Sequence, residues 1–168
     1  MANTYEIIAS NTVGSGGAAS ITFSSIPSTY TDLLIRYTTR IDVGGQDVIL
    51  LSLNGSTSSF SMKWLYGSGS AAGSVTTPTR TVGIMGESGF TANTFSNGDI
   101  YIPNYTSSNY KSISADAVSE NNGTTAVSGL FASLWSNTAA ITQIDITPNG
   151  GNNFVQYSTF YLYGIKNS

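Results

Sequence analysis

Any chemistry in this chain has to start from nine carboxylates, six basic side chains, ten tyrosines and a large stock of hydroxyls. It has no histidine and no cysteine. The first absence removes the commonest general base and the commonest metal ligand. The second removes thiolate nucleophiles, thiolate metal sites and disulfides. Catalysis would then rest on carboxylates, lysine, tyrosine or an oxygen-ligated metal, and one such arrangement is a carboxylate pair of the glycosidase kind, with two groups ~5–10 Å apart. The carboxylates are Glu6, Asp32, Asp42, Asp47, Glu87, Asp99, Asp116, Glu120 and Asp145. Asp32, Asp42, Asp47 and Glu120 fall at the ends of predicted strands, where acidic side chains close turns. Ser108-Asn109-Tyr110-Lys111 spells the S-x-x-K of serine–lysine acyl enzymes. That chemistry puts the serine at the start of a buried helix, and this segment leads into a predicted strand. Gly14-Ser15-Gly16-Gly17 lacks the Gly-Lys-Ser/Thr and the following helix of a phosphate cradle. No D-x-D-x-D-G register offers a calcium loop. The expectation is a protein that is not an enzyme, with no catalytic residue, no metal site and no cofactor.

The aromatic residues point elsewhere. Tyr101, Tyr105 and Tyr110 lie close together around Pro103, with Asn104 and Asn109 between them. Exposed tyrosines stack on the apolar faces of sugar rings or anchor protein interfaces, and asparagine amides beside them bond hydroxyls. These five residues are the candidate interface or glycan-stacking site. Trp64, Tyr66 and Trp135 are of the same type elsewhere in the chain. The alternative for all of them is a place in the core.

The elements that must position such residues are strands. Leu33, Ile35, Tyr37, Thr39 and Ile41 alternate with Arg36, Thr38 and Arg40, and Phe60, Met62, Trp64 and Tyr66 repeat the pattern. In the last run, Phe160 and Leu162 share one parity and Tyr161, Tyr163 and Ile165 the other, as in a central strand covered on both sides. Turn signals separate the runs, among them Asn54-Gly55, Asn97-Gly98, Asn121-Asn122-Gly123 and Asn149-Gly150-Gly151. About eleven strands follow, which makes the chain all-β: an antiparallel β-sandwich, most simply a jelly roll of about 8–11 strands. Residues 67–77 read as a loop, and Leu130, Phe131, Leu134 and Trp135 have the spacing of one helical turn.

Composition fits one domain spanning residues 1–168, with 1–18 as an extended N-terminal arm. Only 9% of residues are charged, against about 25% in an ordinary soluble domain. Ser, Thr, Asn and Gly supply 79 of the 168 residues. Leu, Ile, Val and Phe still number 39, enough to keep the chain above the range where disorder sets in. The basic residues are scattered, so no nucleic acid is expected as a partner. The longest apolar runs span four residues, Val48–Leu51 and Phe160–Tyr163, so no membrane is expected either. The start, MANTYEIIAS, lacks the cationic stretch of a secretory signal.

Three stretches carry a family resemblance. Phe23-Ser24-Ser25-Ile26-Pro27-Ser28-Thr29-Tyr30-Thr31-Asp32-Leu33, Leu51-Ser52-Leu53-Asn54-Gly55 and Tyr161-Leu162-Tyr163-Gly164-Ile165-Lys166 resemble phrases of small structural proteins of tailed bacteriophages, notably phages of cyanobacteria and other aquatic bacteria. The resemblance implies a capsid decoration (cement), head-fibre or tail-associated protein. It further implies a jelly roll assembling as a homotrimer, with itself and the major capsid protein as partners. The location implied is the outer capsid surface of the virion, after synthesis in the host cytoplasm. It carries over no catalytic residue. Within this class a cement role is favoured. About eleven strands use up the chain, and no heptad or collagen-like repeat supplies a fibre shaft. Low charge also suits docking on a protein lattice, where each buried charge needs a partner. The alternative is a carbohydrate-binding or receptor-binding module of a head or tail fibre, built on Tyr101, Asn104, Tyr105, Asn109 and Tyr110.

Overall fold

The alternation of apolar and polar residues becomes the pleat of twelve strands. The computed structural model describes residues 4–44, 47–121 and 126–166. The strands are β1 (Tyr5–Thr12), β2 (Ile21–Phe23), β3 (Asp32–Thr39), β4 (Asp47–Leu53), β5 (Phe60–Gly67), β6 (Ala72–Thr77), β7 (Thr81–Met85), β8 (Ser96–Ile102), β9 (Lys111–Ser119), β10 (Val127–Trp135), β11 (Ile144–Pro148) and β12 (Thr159–Ile165). They form an eight-stranded sheet in the order β1-β12-β3-β8-β9-β10-β5-β6 and a four-stranded sheet in the order β2-β11-β4-β7. Every pair of neighbours is antiparallel. From β2 to β5 the chain changes sheet at each step, which is the winding of a jelly roll. Between β3 and β5, where a simple jelly roll holds one strand, the meander β8-β9-β10 stands instead. β12 and β1 then extend the large sheet beyond β3.

Several expectations need correction. The strand count is twelve, because the segment expected as a loop at 67–77 contains β6. β6 has one large apolar residue, Val75, and lies at a sheet edge, so it shows no alternation and is held by its ladder to β5. The expected helical turn is the end of β10, with Phe131 and Trp135 buried and Leu130 exposed. Residues four apart share a strand face as well as a helix face, so spacing alone did not separate the two. The described part of the segment expected as an arm includes β1, paired along its length with β12. Asn97-Gly98 lies inside β8 rather than in a turn. Asn54-Gly55 does turn, with Leu53 and Ser56 exchanging backbone hydrogen bonds, but it leads β4 of one sheet into β5 of the other. The expected turn at Asn122-Gly123 lies outside the described residues.

The core fills the space between the sheets. Leu33, Ile35 and Tyr37 of β3, Ile100 and Ile102 of β8, and Phe160 and Leu162 of β12 face Ile49, Leu51 and Leu53 of β4, Ile144 and Ile146 of β11, and Ile84 of β7; all are buried. Burying each such side chain is worth ~1.5–3 kcal/mol. β12 is covered on one side only, since Tyr161 and Tyr163 of the opposite parity are not buried. The expectation of two covered faces fails because the second layer lies on one side of the large sheet.

One contact fixes how closely the layers meet. The Tyr37 ring enters a slot between Gly98 of β8, its cross-strand partner, and Gly83 of β7 in the other sheet. A methyl group on Gly98 would collide with the Asp116 carbonyl oxygen and the Tyr37 hydroxyl. Backbone cannot step aside as a flexible side chain can. Gly98→Ala is expected to lower the unfolding free energy by about 3 kcal/mol or more, measured by urea denaturation. A loss below about 1 kcal/mol would contradict this packing.

Candidate functional site

The expected site at residues 101–110 comes apart in space. Tyr105 is 0% exposed, and its hydroxyl donates to the Pro27 carbonyl. Its own carbonyl accepts from Ile141 N–H at 3.0 Å, so Tyr105 ties together three loops at one end of the sandwich. No sugar can reach its ring, and a stacking role is ruled out for it. Asn104 has a positive φ of 48°, and its backbone N–H donates to Asp32 at 2.9 Å. Tyr101 donates its hydroxyl to the other Asp32 oxygen at 2.7 Å, and this bond, with partial burial, pushes its pKa up to about 12. Tyr110 is 58% exposed and Asn109 is exposed. The loop presenting them is clamped from beneath: the buried Lys111 ammonium donates to the Ser107 and Asn109 carbonyls at 2.7 and 2.6 Å. Burial holds that ammonium below its usual pKa.

The structure gathers a different set, on the outer face of the large sheet. Strand register places Tyr161, Arg36, Asp99, Asp116, Leu130 and Leu65 in one row across β12, β3, β8, β9, β10 and β5. The adjacent row contains Ile7, Tyr163, Leu34 and Tyr101. Thus one expected residue, Tyr101, reaches this face.

Arg36 grips Asp99 in a fork, with Nε donating to both carboxylate oxygens at 3.2 Å and Nη2 to Oδ2 at 3.1 Å. An exposed pair of this kind adds ~0–1 kcal/mol; its consequence is that the guanidinium is held still. Asp116 lies directly opposite Asp99 on β9. Partial desolvation, and then the Asp99 charge, push its carboxyl above the ordinary aspartate range. A hollow of about 450 Å³ opens here, lined by Arg36, Thr38, Asn97, Asp99, Asp116, Tyr161 and Tyr163 among others. The two tyrosine rings lie 6.4 Å apart, inclined at 30°. A second hollow of about 300 Å³ adjoins it, lined by Tyr5, Leu34, Arg36 and Tyr163.

Toward the other end of the row the chemistry changes. Leu130 and Leu65 are cross-strand partners, 62% and 61% exposed, with exposed Val118 nearby. They flank a groove of about 470 Å³ that continues over Gly67, Ala72 and Gly73.

Asp99 and Asp116 are the carboxylate pair that the composition allowed, but one of them is already neutralised by Arg36. Among the described residues no three His, Cys, Asp or Glu side chains gather to hold a metal ion. The arrangement is suited to recognition, with fixed donors, fixed acceptors and aromatic rings on a rigid sheet. Sequence reading missed it because its members are dispersed from residue 36 to residue 163 and meet only through register. The alternating parity of Tyr161 and Tyr163 was the one visible signal. No protein-family model matches the chain, and no curated protein does.

Two measurements check these placements. Tyr105→Ala should cost about 3–5 kcal/mol of stability, the range for truncating a buried aromatic, while Tyr110→Ala should stay within about 0.5 kcal/mol of the parent. Equal effects would contradict the assignment. Asp116→Asn should stabilise the fold at neutral pH by about 0.5 kcal/mol, through relief first of a partly desolvated charge and then of its like-charge cross-strand pairing with Asp99. Because the folded state raises the Asp116 pKa, its charged form is the disfavoured one. The difference should therefore be full above the raised value and vanish below the ordinary aspartate range. Thermal melts of both proteins across pH read this directly, and a gain confined to acid pH would reverse the sign.

Proposed function

We propose that this chain is a non-enzymatic structural protein of a tailed-bacteriophage virion, a decoration protein that docks on the major capsid protein lattice and stiffens the shell. The phrases that resemble such proteins are structural ones in this fold. Phe23–Leu33 carries the crossover from β2 to β3, Leu51–Gly55 ends β4 and makes its turn, and 161–166 comprises most of β12. The observation that carries the docking is the exposed pair Leu65 and Leu130, held at the middle of rigid strands on a surface otherwise rich in Ser and Thr. Covering each of them returns at most ~1.5–3 kcal/mol, set against the cost of desolvating Asp116, the cross-strand neighbour of Leu130. Self-association as a homotrimer accompanies the docking, in line with the resemblance.

The test is addition of the purified protein to particles that lack it, followed by gradient sedimentation. The wild-type chain should co-sediment in many copies per particle. Leu65→Glu/Leu130→Glu should lose about tenfold or more in affinity, about 1.4 kcal/mol, while melting as the parent does. A chain that never sediments with the particle, or a double variant that binds like the parent, would overturn the proposal.

A further inference from the structure

We propose that the hollow beside Arg36 on the outer face of the large sheet is a binding site for a neutral pyranose saccharide, extended by the adjoining hollow into a site for two or more sugar units. The inference is independent of the virion reading, since it rests on the cleft alone. A pyranose has an apolar C–H face and a rim of hydroxyls that both donate and accept. The cleft matches each part. Tyr161, 36% exposed, and Tyr163 supply an aromatic ledge. Arg36 and Asn97 supply donors, and Asp116 and Asp99 supply acceptors, all lining the same hollow.

Three features favour this ligand over others. The donors and acceptors are fixed before binding, because Asp99 holds the Arg36 guanidinium through three hydrogen bonds and the others stand on paired strands. Little ordering cost remains when a ligand arrives. The charge balance is two carboxylates against one guanidinium, so phosphate, sulfate and sugar acids meet net repulsion, whereas a neutral hydroxyl rim does not. Apart from a bond from its own backbone N–H, no hydrogen bond to the Asp116 carboxylate is made by the described residues, so acceptor positions remain for vicinal hydroxyls.

The second hollow shares Arg36 and Tyr163 with the first and adds Tyr5 and Leu34. A linear saccharide lying across β3 and β12 would place one unit on each side of the Arg36 side chain. Affinity should therefore rise from mono- to disaccharide.

The experiment is saturation-transfer NMR and calorimetry on the purified chain. The probes are methyl glycosides of glucose, galactose, mannose and N-acetylglucosamine, their disaccharides, and glucuronic acid and sialyllactose as anionic comparators. At least one neutral sugar should bind with a Kd of about 1 mM or tighter, its disaccharide more tightly, and the acids more weakly. Tyr161→Ala and Asp116→Ala should each weaken binding by about tenfold or more. Tyr161→Phe, which keeps the ring, should retain binding, and Tyr110→Ala should have no effect. Melting temperatures of the variants near that of the parent exclude loss of fold as the cause. Failure of every neutral saccharide at about 10 mM, preference for the acids, or binding undiminished in Tyr161→Ala and Asp116→Ala would overturn the inference.

Discussion

An eight-stranded sheet has to bury its inner face under only four strands, and the rest of the molecule follows from how that is done. The close approach at Tyr37 sets the separation of the layers, with its hydroxyl end held between Gly98 of the large sheet and Gly83 of the small one. Around it the inward rows of β3, β8 and β12 meet those of β4, β7 and β11 in one continuous apolar cluster. Because the small sheet lies on one side, the opposite face of the large sheet is left for solvent or a partner. Strand order then decides which residues stand together on that face.

The loops are kept from competing with it. Arg40 donates to the carbonyls of Ser88, Phe90, Thr91 and Thr94, which fastens the loop between β7 and β8 around one guanidinium. Lys111 does the same for the loop before β9, and Tyr105 closes the end of the sandwich. In each case the side chain is spent on backbone carbonyls with no carboxylate partner among these bonds, so its role is to hold loop shape. At the edge, Lys166 binds Glu6 at 3.0 Å and lies 5.2 Å from the centre of the Tyr30 ring, fixing β1 to the end of the chain. What stays open is a strand surface with a polar aromatic end and an aliphatic end.

Much of the fold was legible because a half-buried strand writes its burial into parity. Leu33, Ile35, Tyr37, Thr39 and Ile41 are all buried, as their alternation predicted. β6 was not legible because an exposed edge strand has no buried face to announce. The glycine of Asn97-Gly98 was misread because Gly serves turns and close packing alike, and only the Tyr37 ring opposite it tells which. The same ambiguity affected the tyrosines at 101–110. Tyr105 and Tyr110 look alike in sequence, yet one is fully buried and the other 58% exposed. The outer-face cleft was beyond sequence reading for a different reason. It needs Arg36, Asp99, Asp116 and Tyr161 in one row, and that row exists only once three registers are fixed.

The central claim is that the chain recognises its partners through the outer face of the large sheet rather than through its loops. Hydroxyl-radical footprinting of the free chain against its assembled form, read residue by residue, tests this most directly. Leu65 and Leu130 on that face, and Tyr110 and Tyr157 on loops, are all more than half exposed in the free chain, so each can report. Protection of Leu65 and Leu130, with Tyr110 and Tyr157 still reactive, is the result this account predicts. Protection of Tyr110 and Tyr157, with the two leucines as reactive as before, would contradict it.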